Sequence, residues 1–260
     1  YIGGSYPQID GVKAIKKAGL SVILIDLNEN APCAKYSDIH VKISATNYEK
    51  IIYYLKFNLK DFKVIGIYGI SDFANKTIQN LNEFLKIKEN FKFDIFSNKM
   101  NIHSLLKNKN FAKPELLWFG NTQPEIDVIA RKISKFEKII IKPASSFSSK
   151  GIKIISSKKI YEVQKYIKNA FKYSQTVLIE EYVEGSLVNI DGLFINKNLF
   201  FNSLINRNDY VVNNETSYIS GYSFSKRSSK IEKKFYLLAK SLLGLMSYDS
   251  GSFTIDAIKP

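Results

Sequence analysis

The run Lys138-Ile139-Ile140-Ile141-Lys142-Pro143-Ala144-Ser145-Ser146-Phe147-Ser148-Ser149-Lys150-Gly151-Ile152-Lys153-Ile154-Ile155-Ser156 decides the fold. Ile139 to Ile141 read as a buried strand. Lys142 breaks the apolar run, and Pro143 ends the ladder because it has no N–H to donate. Ala144 to Gly151 is small, polar and flexible. Ile152, Ile154 and Ile155 then open a second strand. Two strands joined by a Ser/Gly loop, with a lysine on the first, can form a hinged phosphate cover, since loop N–H groups face anions well. The plain alternative is an ordinary hairpin with a solvated lysine.

Around this hairpin the elements fall into two groups. Upstream, Tyr1-Ile2-Gly3-Gly4-Ser5 reads as a strand end entering a glycine turn. Asp10 to Gly19 has helical spacing, and Ser21 to Asp26 is an apolar strand ending in an acid. This is a strand–helix–strand unit on a parallel sheet. Asp38–Ile43, the helix Tyr48–Leu59, the buried strand Val64–Tyr68 and the helix Asp72–Leu85 continue the alternation. A half Rossmann-like domain over residues 1–96 is expected. Asp26 stands at the spacing of a ribose-binding acid, but Gly-x-Gly-x-x-Gly is absent, so a strand-end aspartate facing solvent is the favoured reading.

Downstream, residues 97–260 form the second domain. Ser97 or Asn98 caps a short helix that carries Lys99 in its first turn, where the helix dipole disfavours a cation. Either that lysine reaches for a ligand or it is simply solvated. Helices are expected at Gln123–Lys135, Tyr161–Phe171 and Ile231–Leu245, and strands at Val177–Ile179, Leu187–Phe194 and Asn198–Ile205. Asn206–Arg227 reads as a long functional loop. In Gly251–Ile258, Phe253, Ile255 and Ala257 alternate with Ser252, Thr254 and Asp256, which places the polar set on one face.

Composition excludes several classes. Hydrophobic residues make up 45% and aromatics 13% of the 260 residues, which is globular rather than disordered. No apolar run approaches the roughly 20 residues that span a bilayer, and no secretory signal is visible. One cysteine, Cys33, excludes an intramolecular disulfide, and two histidines, His40 and His103, leave little for histidine-based metal chemistry. A cytoplasmic setting is expected. The net charge of +14 invites a nucleic-acid reading, but the arginines are only Arg131, Arg207 and Arg227. Specific nucleic-acid readers rely on bidentate arginine, so no specific nucleic acid and no membrane is expected as a partner. The chain starts without methionine and stops straight after a strand-like run, and it reads as a fragment or processed chain.

Five motifs in order resemble the ATP-grasp superfamily. Residues 1–96 are similar to the preATP-grasp domain of biotin carboxylase, carboxyaminoimidazole synthases and carbamoyl-phosphate synthetase. Asn98-Lys99 resembles the family's Asp-Lys, and Ile141-Lys142-Pro143 resembles its Val-Lys-Pro strand. Ser145–Gly151 stands at the phosphate loop. Glu180-Glu181-Tyr182-Val183-Glu184-Gly185 resembles the hinge that holds adenine, and Gly251-Ser252-Phe253-Thr254-Ile255-Asp256 resembles the strand that supplies a magnesium carboxylate. The resemblance implies an α/β and α+β chain: a Rossmann-like preATP-grasp domain, 1–96, followed by an ATP-grasp fold, 97–260, truncated at its C-terminal end.

The resemblance also implies roles. Lys99 and Lys142 contact ATP phosphates, and the N–H groups of Ser148 and Ser149 close over them. Ile152 packs on adenine and Glu180 lies near its amino group, while the Glu181 carbonyl and the Val183 N–H bond its edge. Asp256 binds Mg²⁺, a hard cation that takes oxygen ligands. No catalytic residue is assigned. Serines replace the usual loop glycines, Leu187 stands where many members place a ribose-binding acid, Asp256 replaces the commoner glutamate, and the second metal carboxylate falls beyond Pro260. The implied activity is that of an ATP-dependent carboxylate–amine ligase working through an acylphosphate. Its cofactors would be ATP and Mg²⁺ and its partners a small-molecule carboxylate and an amine, with a homodimer left open. The alternatives are a non-catalytic nucleotide-binding module and, further off, a Rossmann-type dehydrogenase. A P-loop ATPase is disfavoured because Gly-Lys-Ser/Thr is missing.

Overall fold

Residues 1–58, 62–87, 97–107, 109, 111–146, 149–212, 216–224 and 230–259 are described by the structure, a computed structural model. The chain divides into two units, Tyr1–Glu89 and Asn90–Pro260.

In the first unit β1 (Ile23–Ile25) pairs in parallel with β2 (Ile39–Val41). The N-terminal residues lie along the other edge of β1. Ile25 N–H donates to the Tyr1 carbonyl at 2.8 Å, Gly3 N–H to the Ile25 carbonyl at 2.9 Å, and Ile2 N–H to the Tyr68 carbonyl at 2.7 Å. Successive strand side chains point to opposite faces, and β1 obeys this. Leu24 buries with Val12 and Cys33, whereas Ile25 buries with Ile2, Val41, Ile51 and Leu81. Helix α1 (Ile9–Lys17) supplies Val12, and α2 (Tyr48–Asn58) and α3 (Asn75–Leu85) supply Ile51 and Leu81. Helices therefore cover both faces of a small parallel sheet, as the Rossmann-like reading expects.

One expected strand fails. Ile65 and Ile67 are two apart and would share a face in a regular strand. Instead Ile67 packs into the core while Ile65 is 59% exposed. Val64–Tyr68 is thus an irregular segment bonded to the sheet at Tyr68, not a buried strand. An apolar run predicts burial, but only the cover available on each side decides it.

The second unit opens with α4 (Lys99–Leu105), capped by the Asn98 side chain, which accepts from Met100 N–H at 2.9 Å. An antiparallel sheet follows in the order β3 (Leu116–Gly120), β6 (Val177–Glu181), β4 (Lys138–Pro143), β5 (Lys153–Ser156). One face packs on α5 (Ile126–Ile133) and α6 (Ile160–Ala170). Ile139, Ile141, Val177 and Ile179 lie buried there against Ile129, Ile133, Val163 and Ile167. By alternation, Ile140, Lys142, Leu178 and Glu180 belong to the opposite face.

A second antiparallel sheet has the order β10 (Gly251–Lys259), β7 (Ser186–Ile195), β8 (Asn198–Val212), β9 (Thr216–Phe224). Val188, Ile190, Leu204 and Ile255 pack with Phe235, Leu238 and Ala239 of α7 (Lys230–Leu245). This corrects the expected loop over 206–227. Its described part is mostly strand, since β8 runs on to Val212 and pairs with β9 from Ile205↔Phe224 to Val212↔Thr216. The mixed polar and aromatic composition misled, because backbone pairing builds this ladder without a clean alternation of apolar residues.

The hairpin loop is set by backbone geometry. Ser149 (φ 57°) and Gly151 (φ +76°) both take left-handed conformations. Glycine adopts this region freely, whereas serine bears a steric cost. A Cβ at Gly151 would lie 2.6 Å from Tyr173 Cδ2 and 2.8 Å from Pro143 Cγ. Gly151→Ala is therefore expected to destabilise the second unit by about 1–3 kcal/mol. Trp118, the chain's one tryptophan, sits on β3 and reports this unit's unfolding through its fluorescence. An unchanged denaturant midpoint would sink the expectation.

Candidate functional site

The face of the first sheet opposite α5 and α6 carries an ionic cluster. Register places Lys142 opposite Leu178 and Ile140 opposite Glu180, so Lys142 and Glu180 are diagonal neighbours on one face. Lys142 Nζ lies 2.5 Å from Glu180 Oε2, with the two side chains 19% and 2% exposed. The second carboxylate oxygen, Oε1, is 2.9 Å from His103 Nε2. An ionised carboxylate only accepts, so this nitrogen carries the proton. Burial pushes the Glu180 carboxyl up, but the His103 hydrogen bond and the Lys142 ammonium outweigh it and hold the group below the ordinary glutamate range.

Lys99 joins from α4. Its backbone N–H donates to the Ala144 carbonyl at 3.0 Å, and its Nζ to the Pro143 carbonyl at 3.2 Å and the Ser146 carbonyl at 3.5 Å. The short helix is thereby docked on the end of β4 and the start of the loop. Burial, then the neighbouring Lys142 charge, pulls the Lys99 ammonium below the usual lysine value, with Glu180 offsetting part of it. Two ammonium groups that repel each other beside a single carboxylate form a basin that an anion would relieve.

The hinge follows directly. β6 ends at Glu181, whose N–H bonds the Glu115 carbonyl at 3.0 Å, and Tyr182 N–H still reaches the Lys138 carbonyl at 3.2 Å. Val183 is half-buried beyond the ladder, as are Ser149 and Ile152 in the hairpin loop. Ser148 lies outside the described residues.

Asp256 is on the other sheet of the same unit, on the face away from α7. It pairs across the strands with Asn189, whose Nδ2 donates to Asp256 Oδ1 at 2.5 Å, and Arg207 Nη1 stands 3.8 Å from Oδ2. Asn189 Oδ1 and Asp191 Oδ1, on the same face of β7, are buried with no hydrogen-bond partner. Orphaned buried acceptors are costly, and two beside a carboxylate suit a hard cation. Among the described residues no three His, Cys, Asp or Glu side chains gather as a metal site. The structure thus brings Lys99, Lys142 and Glu180 together and sets Asp256 on a separate sheet.

Three residues escaped the sequence reading. His103 sits in a polar helix with no motif around it; its spacing of four from Lys99 was the available signal, because such residues share a helix side. Asn189 and Asp191 were hidden within an expected strand, where alternation alone could have put them beside Asp256. In the first unit, Asp26 is accounted for without a ribose. Its Oδ2 accepts from Gly4 N–H at 2.6 Å and its Oδ1 from Asn28 N–H at 2.8 Å. The glycine turn's N–H is satisfied by the chain's own acid, which argues against the dehydrogenase reading. No helix among the described residues is long and apolar enough to cross a membrane.

Comparison with known proteins gives a consistent picture. Residues 121–229 match the model of the family described as "D-ala D-ala ligase C-terminus". The chain is similar to the D-alanine–D-alanine ligase of Aquifex aeolicus, with 27% identity over 180 residues that make up 66% of this chain and 52% of that enzyme. It spans about half the length of the curated relatives it matches. Among solved structures, phosphoribosylglycinamide synthetase from Anaerococcus prevotii superposes with TM-score 0.73 at 15% identity, over 99% of this chain and 63% of that one. N5-carboxyaminoimidazole synthetase from Staphylococcus aureus, complexed with ADP, gives TM-score 0.68 at 17% identity over 98% and 64%. The likeness read from five short motifs extends over both units, and the chain has the fold of the ATP-grasp superfamily.

Proposed function

We propose that the Asn90–Pro260 unit binds ATP and Mg²⁺ and that the chain serves an ATP-dependent carboxylate–amine ligase working through an acylphosphate. The observation that carries this reading is the meeting of Lys99, Lys142 and Glu180 at the mouth of the Ser145–Gly151 loop. Lys142 and Lys99 bind phosphate oxygens, and the loop N–H groups, including those of Ser148 and Ser149, close over them. Ile152 packs on the adenine ring. The Glu181 carbonyl and the Val183 N–H bond its edge, and Glu180 stands near its amino group. Asp256, with Asn189 and Asp191 beside it, holds Mg²⁺. When bound, the ion neutralises charge on the transferring phosphoryl group. The chain's own share is positioning: two ammonium groups and a closed loop orient the phosphates and keep water away.

The test is calorimetric. ATP and ADP are expected to bind the 260-residue chain saturably, and NADH is not. Absence of ATP and ADP binding would overturn the reading. ADP release that depends on added small carboxylates and amines would exclude the non-catalytic module. The metal assignment has its own check. Asp256→Asn keeps the shape and removes the charge. Loss of an outer-shell partner already costs about 10–100-fold in metal affinity, and a direct ligand should cost at least as much. Magnesium should then no longer strengthen ADP binding, while affinity in EDTA stays as before. A magnesium gain that survives the substitution removes Asp256 from the site.

A further inference from the structure

We propose that His103 is the positioning residue that lets Lys142 exchange Glu180 for a nucleotide phosphate. The inference rests on the nucleotide reading above and adds a residue to it. As the chain stands, Lys142 Nζ is spent on Glu180 Oε2 at 2.5 Å. A lysine held that closely still has two N–H donors for a phosphate, but its charge is shared, so the phosphate gains more as the carboxylate's hold weakens. Glu180 is buried, so a carboxylate abandoned by its lysine would be an uncompensated interior charge. The structure already supplies a second donor, because His103 Nε2–H reaches Oε1 at 2.9 Å from a different element. His103 therefore keeps the carboxylate ionised and oriented while Lys142 moves.

Position supports this role over simple packing. His103 and Lys99 are four apart on α4 and so lie on one side of the helix. The start of that helix is tied to Ala144, Pro143 and Ser146 through Lys99. One helix thus carries a phosphate lysine at its first turn and the Glu180 anchor at its last. The titratable and charged groups facing Glu180 are His103 from α4 and Lys142 from β4, with the Lys99 ammonium near the pair. The arrangement sets a sign. Without His103, Glu180 grips Lys142 harder and the phosphate gains less from it. Without the Glu180 charge, Lys142 is released toward the phosphate.

The experiment compares ADP with AMP, since the added phosphate isolates what Lys142 contributes. The readout is the ratio of the AMP and ADP dissociation constants by calorimetry in EDTA, with Trp118 fluorescence checking the fold. His103→Leu should shrink the ratio about tenfold, one charge-assisted hydrogen bond's worth of competition. His103→Gln, which keeps a donor, should restore most of it. Glu180→Gln should move the ratio the other way, and this second variant decides the matter if His103→Leu does not fold. In a Lys142→Ala background His103→Leu should have no further effect, the signature of coupled residues. A merely structural histidine would lower both affinities together and leave the ratio alone. A ratio unchanged in both His103→Leu and Glu180→Gln overturns the inference while leaving the nucleotide site standing. No ADP binding by the unaltered chain would remove that site itself, and the inference with it.

Discussion

Replacing Glu180 with alanine should lower the stability of the Asn90–Pro260 unit by about 3 kcal/mol, the low end of the 3–5 kcal/mol typical when one partner of a buried ion pair is removed. Glu180 is all but fully buried, whereas Lys142 is 19% and His103 13% exposed. The two donors left behind can therefore regain some water, which keeps the effect off the upper end. Two-unit unfolding need not be all-or-none, so a whole-chain signal would blur the effect. Trp118 avoids this, since it stands on β3, the strand that pairs with β6 next to Glu180. A shift in the tryptophan midpoint worth less than about 1 kcal/mol would mean that the cluster is as weak as a surface pair.

The same group fixes an acid-side dependence. Its pKa in the fold lies below the ordinary glutamate value of 4.5. Between the two values the unfolded chain binds more protons than the folded one, so stability rises with pH across that window. The Glu180 contribution is thus complete above 4.5 and is lost as pH falls through the lowered folded value. Glu180→Gln should flatten this part of the stability profile.

Much of this architecture was legible because burial writes itself into sequence. Ile139 and Ile141 had to be covered, and Pro143 had to end the strand, so the hairpin and the place of Lys142 followed. The acidic strand end at Glu180 was legible through the likeness of Glu180–Gly185 to a nucleotide hinge. What escaped depends on partners far away in the chain. His103 has meaning only through Glu180, 77 residues on. The long β8–β9 ladder is held by backbone pairing between residues up to 19 apart, and its mixture of polar and aromatic residues shows no clean alternation. Val64–Tyr68 shows the converse error, an apolar run without matching cover. Asp26 reads as a strand-end aspartate facing solvent, and its carboxylate is instead engaged with Gly4 N–H, a partner 22 residues back that no local pattern announces.

Lys142→Ala should weaken ADP binding by about 1.5–3 kcal/mol, the worth of a hydrogen bond to a charged group. At about 1.4 kcal/mol per factor of ten, that is roughly 10–150-fold in dissociation constant. The net effect has two parts of opposite sign. Losing the ammonium removes its contact with the phosphate, but it also ends the competition between phosphate and Glu180 for the same charge. The loss measured is therefore the phosphate contact less the cost of drawing Lys142 away from a carboxylate 2.5 Å distant. Lys99 tempers it further. With its neighbour gone, the Lys99 ammonium loses one of the two influences that pull its pKa down and holds its proton more firmly. The decisive measurement is the triphosphate series in the same variant. AMP affinity should change least, ADP more and ATP most, because only the outer phosphates need a second ammonium group. An equal loss for all three nucleotides, in a variant whose Trp118 spectrum is unchanged, would move the phosphates away from β4 and place Lys142 in a purely structural pair with Glu180.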